Sequence, residues 1–301
     1  MRKNLTALQE SAPTAPPESR RKSDPAPARF RLVKLALGHA HRYGRYRLVT
    51  MGITLAVLMA APLAGLARVD LWSGAHRMLG DPVDLGLGLA TVSVAIASFY
   101  GATFLINMIA GRMFCGFGCP VGELSRLADA IDALSRDQAG RRWAWLRLGA
   151  FALLLVGATS LWWVAPGVYV AGGMAMLTAW GALALGLGLA LVHARRWRWN
   201  FCRKLCPIGL YYSVVQTSGL VRIDFDPKLA CTDCGACAGA CPVKLDPRHL
   251  DQLLEAPGGL AFSDMPALNH CLSCGACVEI CEHMTRKEPL PAAMGFRSPR
   301  R

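Results

Sequence analysis

The chain has 301 residues, of which 53% are hydrophobic and only 18% are charged, whereas a soluble domain usually carries about 25% charged residues. This composition excludes one ordinary soluble core, because the missing charge corresponds to long apolar runs. The net charge of +13 would fit a nucleic-acid-binding protein, but the Lys and Arg residues flank apolar segments instead of lying among aromatic residues. No nucleic-acid partner is therefore expected.

Residues 1–47 are predicted to form a basic, disordered cytoplasmic tail, because they are polar and rich in Pro and Ser. Within them, Ser19-Arg20-Arg21 is similar to a twin-arginine signal, but no apolar run follows it before Arg47. The segment is therefore interpreted as a plain extension and not as a signal peptide.

Four apolar segments follow, each long enough to cross a bilayer, which takes about 20 residues of helix. Lys and Arg are concentrated before the first segment, between the second and third, and after the fourth. The positive-inside rule then predicts a multi-pass protein of the bacterial inner membrane with both termini in the cytoplasm. The segments run over 48–67, 85–110, 146–165 and 168–192, and the cytoplasmic connection over 123–145.

The second and fourth segments end in the same motif, F-C-x3-C-P-V/I-G, at residues 114–122 and 201–209. Two hairpins with matching ends, 48–122 and 146–220, predict a duplicated unit with pseudo-twofold symmetry about the membrane normal. Such symmetry would bring the four motif cysteines to one depth in the membrane. They are Cys115, Cys119, Cys202 and Cys206.

Three roles are open for these motif cysteines, since stable disulfides are not expected in the cytoplasm. They can form a redox-active dithiol relay, or they can be ligands of a third cluster or a metal ion. They can also be structural residues of a motif whose Pro120 and Pro207 begin a helix. Their occurrence twice at one topological position favours a redox or ligand role.

From residue 221 the chain becomes rich in cysteine, and 221–288 is predicted to be a ferredoxin-like domain. The run C-x2-C-x2-C-x3-C occurs twice, whereas zinc sites favour separated C-x2-C pairs. Three thiolates of such a run hold one 4Fe–4S cluster and the fourth ligates the other. The expected ligands are Cys231, Cys234, Cys237 and Cys281 for cluster 1, and Cys271, Cys274, Cys277 and Cys241 for cluster 2.

The surroundings of these runs carry three further predictions. Glu282 stands where proline usually follows the last cysteine. The insertion 243–270 is interpreted as a docking surface or as a plain loop with a short helix near 247–254, and residues 289–301 as an unstructured basic tail. The predicted fold class is a membrane all-α protein, with four transmembrane helices as two repeated hairpins, that carries a small α+β domain of the bacterial two-cluster ferredoxin type.

Polar residues in and near the membrane segments are secondary candidates for a site. Asn107 in the second segment either bonds across helices or lines a quinone pocket. His76 and Asp81, in the connection before it, can take a proton from a quinol or lie in a solvated loop. His193, at the end of the fourth segment, is interpreted as an interfacial residue and not as a haem ligand.

The order of these elements resembles the NapH-type membrane ferredoxins of the periplasmic nitrate reductase system, and equally the MauN-type ferredoxins of methylamine utilisation. The resemblance covers about 48–285 and rests on all 12 cysteines. The C-terminal half of the nitrous-oxide reductase regulator shares the architecture but has an additional flavin domain. The NapH resemblance implies oxidation of membrane quinol and electron transfer through a partner ferredoxin. The MauN resemblance implies electron transfer for methylamine dehydrogenase.

The leading hypothesis is a quinol-linked electron-transfer subunit with two 4Fe–4S clusters. An anchor alone needs one helix, whereas four create an internal surface for a lipid-soluble substrate, and the clusters split a two-electron donor into single-electron steps. The alternative is a maturation factor that supplies electrons or reduces a metal for a partner oxidoreductase, and a redox sensor is a third hypothesis. The expected partners are membrane lipid, quinone or quinol, and a ferredoxin-type or cytochrome redox protein.

Overall fold

Helices account for all four apolar segments, because a helix satisfies its own backbone hydrogen bonds where lipid offers no partners. The predicted tail before residue 42 and most of the insertion between the cysteine runs lie outside the described residues. Of the helix predicted near 247–254, residues 247–250 are described, and they form turns and not a helix. The computed structural model describes residues 42–134, 138–209, 220–250 and 270–298. In chain order the helices are α1 (Arg42–Leu63), α2 (Leu85–Ala110), α3 (Met113–Phe117), α4 (Pro120–Ala133), α5 (Gln138–Ser160), α6 (Gly173–Val192), α7 (Arg198–Lys204), α8 (Ala236–Ala240) and α9 (Ala276–Met284).

Five short strands of the described residues form two small antiparallel sheets at opposite ends of the long helices. The first sheet has the order β1-β2-β3 and lies in the connection between α1 and α2. The second pairs β4 with β5 next to the cysteine runs. The strands are β1 (Ala67–Arg68), β2 (Arg77–Met78), β3 (Asp81–Pro82), β4 (Arg222–Phe225) and β5 (Met294–Arg297).

The helices α1, α2, α5 and α6 are long and apolar enough to cross a membrane, which confirms the four predicted spans by length and composition. Helix α2 has the predicted bounds, but α5 already begins at Gln138. The first residues of α5 include arginines and lie outside the apolar stretch. They are still helical, because Arg is a good helix former.

Helix α1 also begins earlier than predicted, so the assignment of residues 42–47 to a disordered tail is wrong. Contacts with the ferredoxin-like domain hold this first turn and a half in the helix. Tyr43 is buried in the core of that domain, and Arg47 forms an ion pair with Glu279 at 3.8 Å. Burial of the Tyr43 ring stabilises this helical start. The composition of residues 42–47 does not reveal this contribution, because it depends on contacts with a distant part of the chain.

The two hairpins are joined at the end remote from the cysteines by backbone hydrogen bonds between their connections. The N–H of Val69 donates to the carbonyl oxygen of Trp162 at 2.9 Å, and the N–H of Leu71 donates to that of Trp163 at 3.0 Å. The first connection is therefore a structured cap and not a solvated loop.

Asp70 is the buried acceptor that shapes this cap. Its side chain is fully buried and accepts hydrogen bonds from the N–H of Trp72 at 3.0 Å and from the N–H and hydroxyl of Ser73. Burial alone would raise the pKa of Asp70, but these bonds and one from the backbone of Ala165 lower it below its ordinary value. The ionised carboxylate therefore stabilises the fold above its unfolded pKa of about 3.9, and this contribution is lost as the pH falls through the lower folded pKa.

Asp70→Ala is expected to lower the free energy of unfolding by about 1–3 kcal/mol at pH 7, because buried N–H groups lose their acceptor. The control Asp81→Ala removes an exposed carboxylate from β3 and is expected to change stability by less than about 0.5 kcal/mol. Thermal unfolding in lipid discs measures both, and the difference between the variants should shrink below the folded pKa of Asp70. Equal stability of the two variants at pH 7 contradicts the assignment.

The predicted connection 123–145 contains most of an amphipathic helix that packs against a membrane helix. Pro120 occupies the first turn of α4, where its missing N–H costs nothing. Leu124 and Ala128 on α4 pack in one cluster with Leu148 and Ala152 on α5. Helix α4 is therefore held along α5.

The second sheet shows that the prediction of an unstructured tail over 289–301 is wrong for its central part. Strand β5 pairs with β4, with Phe296 opposite Ile223 and Met294 opposite Phe225. Met294 is buried, and the ring of Phe296 lies 5.4 Å from that of Tyr43. Alternating apolar residues within a basic segment thus complete the ferredoxin-like domain beyond residue 288.

Candidate iron–sulfur site

The two cysteine runs have the same backbone conformation. Asp233 and Ser273 both have a φ of 49°, and the following Gly235 and Gly275 have φ values of 67° and 75°. Non-glycine residues seldom adopt positive φ, and turns of this kind direct successive N–H groups inward as an anion-binding nest. Helices α8 and α9 begin directly after the two glycines. Both runs are therefore shaped to surround an anionic group.

The first cysteine group surrounds one small cavity. It consists of Cys231, Cys234 and Cys237 from the first run and Cys281 from α9, and all four line the cavity. Three thiols on a tight turn with a fourth from the other run fit a cubane cluster, whose ligand spacing follows this rule. The geometry thus fits the predicted ligands of cluster 1, whose assignment stays a prediction.

The second group consists of Cys241, Cys271, Cys274 and Cys277, and it lies deeper in the protein. Burial, with the neighbouring cysteines, raises the pKa of Cys271 to about 12 and that of Cys241 to about 11. Cys274 differs: burial alone would raise its pKa, but Arg126 and Arg47 outweigh burial and lower it. Buried thiols of this kind become ligands when a bound metal takes the place of the proton.

Exposure differs between the two groups. In the first, Cys231 and Cys234 are exposed, Cys281 is half-buried and Cys237 is buried. In the second, Cys241 and Cys271 are half-buried, and Cys274 and Cys277 are buried. The buried group faces the membrane helices, because its loop contacts α1 and the motif after α2. The first group therefore lies at the surface of the domain and the second lies between it and the membrane part.

The two F-C-x3-C-P-V/I-G motifs have matching backbone geometry. The N–H of Cys119 donates to the carbonyl oxygen of Phe114 at 3.0 Å, and that of Cys206 donates to Phe201 at 2.8 Å. A prolyl residue follows each of these cysteines and begins a helical segment, as the structural reading predicted.

The final glycine of each motif is required by a close approach of backbone. A Cβ on Gly122 would lie 3.1 Å from the carbonyl oxygen of Cys115, and a Cβ on Gly209 would overlap that of Cys202. A side chain does not fit at Gly209 and would be tight at Gly122, which favours glycine in the repeated motif.

The two motifs face each other in a reciprocal way. Gly122 of the first motif lies next to the ring of Trp199. A Cβ built on Gly209 of the second motif would lie 3.0 Å from a guanidinium nitrogen of Arg112. Arg112 and Trp199 stand at corresponding positions, each shortly before the first cysteine of its motif. Each motif thus contacts the corresponding residue of the other motif, which fits pseudo-twofold symmetry at the motifs. Duplication of the complete hairpins stays a prediction.

The four motif cysteines are brought together by this arrangement. Cys115 lies within electrostatic range of Cys206 and Cys202, and Cys119 within range of Cys115 and Cys202. Burial raises the pKa of Cys119 to about 12 and that of Cys115 above its ordinary value. In the described ranges, no three Cys, His, Asp or Glu side chains are grouped as ligands of a single metal ion.

The first motif is the platform on which the second cysteine run docks. A Cβ on Gly116 would overlap the carbonyl oxygen of Leu272 and lie 2.8 Å from the Cα of Cys274. On the other side of the loop, Gly275 lies against the ring of Tyr43. A Cβ built on Gly275 would lie 2.8 Å from the nearest ring atom. Cys115 and Cys202 belong to the same apolar cluster as this run. The membrane cysteines and the second ferredoxin group thus form one continuous site.

Arginines that the sequence analysis used only to orient the helices hold this junction. Arg126 on α4 donates to the carbonyl oxygen of Gly116 at 2.9 Å, lies 5.4 Å from the ring centre of Trp199, and donates to the side chain of Cys274. Arg112 is buried and interacts with Cys115 and Cys271. Proximity to the C-x3-C-P motifs was the sequence signal that could have identified both.

The secondary candidates lie elsewhere. Asp81 and the buried His76 belong to the remote connection, and the 26 residues of α2 separate them from Cys115 by about 39 Å at 1.5 Å a residue. His193 is buried, with its ring 5.1 Å from that of Phe201. Asn107 is fully buried in α2, and its side chain has no hydrogen bond within the described part of the chain.

Comparison with known proteins finds relatives over most of the chain. The methylamine utilization ferredoxin-type protein MauN of Methylorubrum extorquens is 30% identical over 236 residues, which are 73% of this chain and 80% of the relative. The ferredoxin-type protein NapH of Haemophilus influenzae is 28% identical over 265 residues, 81% of this chain and 88% of the relative. The putative electron transport protein YccM of Escherichia coli is 27% identical over 213 residues, 64% of this chain and 55% of the relative. No protein-family model and no solved structure matches the chain.

Proposed function

The chain belongs to the family of the NapH and MauN ferredoxin-type proteins, and from this premise we propose that it oxidises membrane quinol and passes single electrons to a partner redox protein. Its role as a membrane iron–sulfur electron-transfer protein follows from relatives that are named for ferredoxin-type electron transport. The quinol substrate, the two clusters and the partner are the proposed part.

The observation that carries the proposal is the docking of the second cysteine run on the membrane motif. Gly116 touches the backbone of Leu272 and Cys274, and Arg126 bonds to both sides of the contact. An anchored but independent ferredoxin would not need such an interface. Direct contact shortens the path between a substrate in the lipid phase and the ferredoxin-like domain.

The eight ferredoxin cysteines would hold the two clusters in the crossed assignment predicted from their spacing. Placement of Cys281 beside Cys231, Cys234 and Cys237 supports the first set. Interaction of Cys241 with Cys271 and Cys274 supports the second. When bound, such clusters accept and release one electron at a time.

The proposed location is the bacterial inner membrane, with both termini and the ferredoxin-like domain in the cytoplasm. The distribution of Lys and Arg supports it. The exposed Cys231 and Cys234 mark the face on which a ferredoxin-type or cytochrome partner would dock. We propose two pathways in which the protein could act. One is utilisation of an amine, the process in the name of MauN, and the other is nitrate reduction.

The leading test is stopped-flow absorbance of anaerobically purified, dithionite-reduced protein in lipid discs after mixing with a short-chain quinone. Saturable reoxidation within milliseconds, blocked by a quinone-site inhibitor, is the expected result, because transfer to quinone is downhill from low-potential clusters. A soluble two-cluster ferredoxin at the same concentration is the control. Reoxidation no faster than that of the control rejects quinol chemistry.

The facing C-x3-C-P motifs favour a second candidate function, a maturation factor that reduces a metal or a disulfide for a partner oxidoreductase. Cys115 and Cys202 each lie within electrostatic range of the other three motif cysteines. Under this alternative, replacing Cys115 and Cys206 by alanine abolishes maturation of the partner and leaves the reaction with quinone unchanged. Loss of the quinone reaction in this variant argues for the leading proposal.

Arg126→Gln is expected to lower the reduction potential of the cluster at Cys274, because the guanidinium charge favours the more negative reduced state. The expected shift is about 60 mV, which corresponds to a tenfold change in a one-electron equilibrium. Arg195→Gln, at an exposed position, is the matched control and is expected to leave both potentials in place. Redox titration followed by electron paramagnetic resonance measures the two clusters separately. A shift in the cluster at Cys231 alone contradicts the placement of Arg126.

A further inference from the structure

A large cavity of about 1610 Å³ lies between the membrane helices and the ferredoxin-like domain. One wall is apolar and comes from membrane helices, with Leu48, Met51 and Leu55 on α1 and Phe151 and Leu154 on α5. Several of these side chains lie within the spans that cross the membrane. A lipid-soluble molecule can therefore occupy this wall with its hydrocarbon part.

The polar part of the lining comes from α4 and the N-terminal part of α1. Glu123, Arg126, Asp129 and Asp132 on α4 belong to it, together with Arg47. Arg126 and Glu123 are 3.9 Å apart as an ion pair. The cavity thus offers hydrogen-bond donors and acceptors at one end and hydrocarbon at the other, which are the requirements of an amphiphilic ligand with a small polar head.

The polar end adjoins the second ferredoxin group. Cys241 and Ala276, the residue after Gly275 in the other run, line the cavity. Arg126 reaches from it to the side chain of Cys274. A head group at Arg126 therefore lies next to the predicted ligands of cluster 2, whereas the remote connection with His76 lies at the other end of α2.

We propose that this cavity is the quinol-binding site, with Arg126 as a hydrogen-bond donor to the ring oxygen and Glu123 and Asp129 as proton acceptors. The inference rests on the proposed function and names where its substrate binds. Oxidation breaks both O–H bonds of the quinol, the two protons pass to the two carboxylates, and quinone remains. The two electrons leave one at a time to the one-electron acceptors that the ferredoxin cysteines hold under the proposed function.

Asp129 is held in place for this role. Its carboxylate accepts hydrogen bonds from the indole N–H of Trp199 at 2.6 Å and from Arg198 at 3.3 Å. Burial raises the pKa of Asp129 even though these two donors oppose the shift. A carboxylate with a raised pKa is a stronger proton acceptor than an ordinary carboxylate.

The lining of the cavity carries charges of both signs. Four carboxylates, those of Glu123, Asp129, Asp132 and Glu279, line it together with six basic side chains, those of Arg47, Arg126, Arg147, Arg196, Arg198 and Lys244. Proton acceptors next to the predicted ligands of cluster 2 distinguish quinol from a phospholipid as the occupant, because quinol gives up protons together with electrons. Quinol is therefore the occupant to which the proposal commits.

The first test fills the cavity and measures binding directly. Gly52 lines it, and a Cβ at this position meets nothing within 4 Å, so Gly52→Phe places a ring in open space. Gly101→Phe on α2 is the matched control, because its Cβ is equally free and the residue does not line the cavity. Gly44→Leu, also at a free position in the cavity, is a second filling variant.

Binding of a photoreactive short-chain quinone to the full protein in lipid discs is followed by mass spectrometry of the labelled peptides. We expect label on α1, α4 or α5, and an affinity about tenfold weaker in Gly52→Phe and Gly44→Leu with no change in Gly101→Phe. Label confined to other segments, or unchanged affinity in both filling variants, overturns the site.

The second test separates proton transfer from binding. Glu123→Gln is expected to keep quinone affinity within about threefold and to slow reoxidation of the dithionite-reduced protein by a short-chain quinone by about tenfold or more, because quinone takes up protons with the electrons. Glu288→Gln, at an exposed position, is the control. An unchanged rate in Glu123→Gln overturns the role of Glu123. Normal quinone reaction with label outside the cavity rejects this site but keeps the proposed function, whereas no quinone reaction of the unaltered protein rejects the function itself.

Discussion

Gly116→Ala is expected to detach the second cysteine run from the membrane motif and to lose the iron bound there. The new Cβ would overlap the carbonyl oxygen of Leu272 and lie 2.8 Å from the Cα of Cys274. Both obstacles are backbone atoms, which cannot rotate away as a flexible side chain can. Overpacking costs about 1–3 kcal/mol where neighbours adjust, and here the cost falls on the loop that carries three predicted ligands.

Gly239→Ala is the matched control for this change. Gly239 lies in α8 beside the first cysteine run, and a Cβ there meets nothing within 4 Å. Iron analysis of anaerobically purified protein is expected to show loss of about half of the bound iron in Gly116→Ala and full content in Gly239→Ala. Full iron content and unchanged spectra in Gly116→Ala contradict the docking of the domain on the motif.

Cys281→Ala is expected to remove the same cluster as Cys231→Ala, although the two residues belong to different runs. Cys281 lines one cavity with Cys231 and two further cysteines of the first run. Each single variant should therefore lose about half of the bound iron, and the double variant should lose no more, because both changes affect one cluster. The alanine replacement is chosen since a serine oxygen can still bind iron.

Cys271→Ala is the control for the crossed assignment, because Cys271 is a predicted ligand of cluster 2. Combined with Cys281→Ala, it is expected to remove all of the iron, since the two changes then affect different clusters. Iron content and electron paramagnetic resonance of the reduced proteins measure these losses. If Cys281→Ala and Cys271→Ala together lose only half of the iron, each run holds its own cluster and the crossed assignment is wrong.

The membrane segments were predictable from the sequence because their physical requirement is local. An apolar stretch of sufficient length needs only its own backbone to form a helix in lipid, and α2 has the predicted bounds. The helix ends were not predictable to the same degree. Arg42 and Gln138 begin helices in polar sequence, because contacts with other segments and helix propensity continue the helix beyond the apolar stretch.

The ferredoxin-like domain was predictable in its chemistry and less so in its extent. Cysteine spacing depends on the geometry of a bound cluster, so it is visible within a few residues. Strand β5 cannot be predicted from such a local pattern, because Met294 and Phe296 lie in a short basic segment far from β4 in the chain. Pairing over such a distance is decided by the tertiary fold.

The sequence by itself predicted which residues carry redox chemistry, and it determined that the chain has four segments long and apolar enough to cross a membrane. Both properties depend on residue type and short spacing, and the family relationship with NapH and MauN proteins confirms the resemblance drawn from the cysteine motifs. Only the tertiary structure decided that Gly116 receives the second cysteine run, that Arg126 joins it to the membrane part, and that α4 closes a cavity beside Cys241. These are contacts between residues distant in the chain, and packing of whole elements against one another sets them.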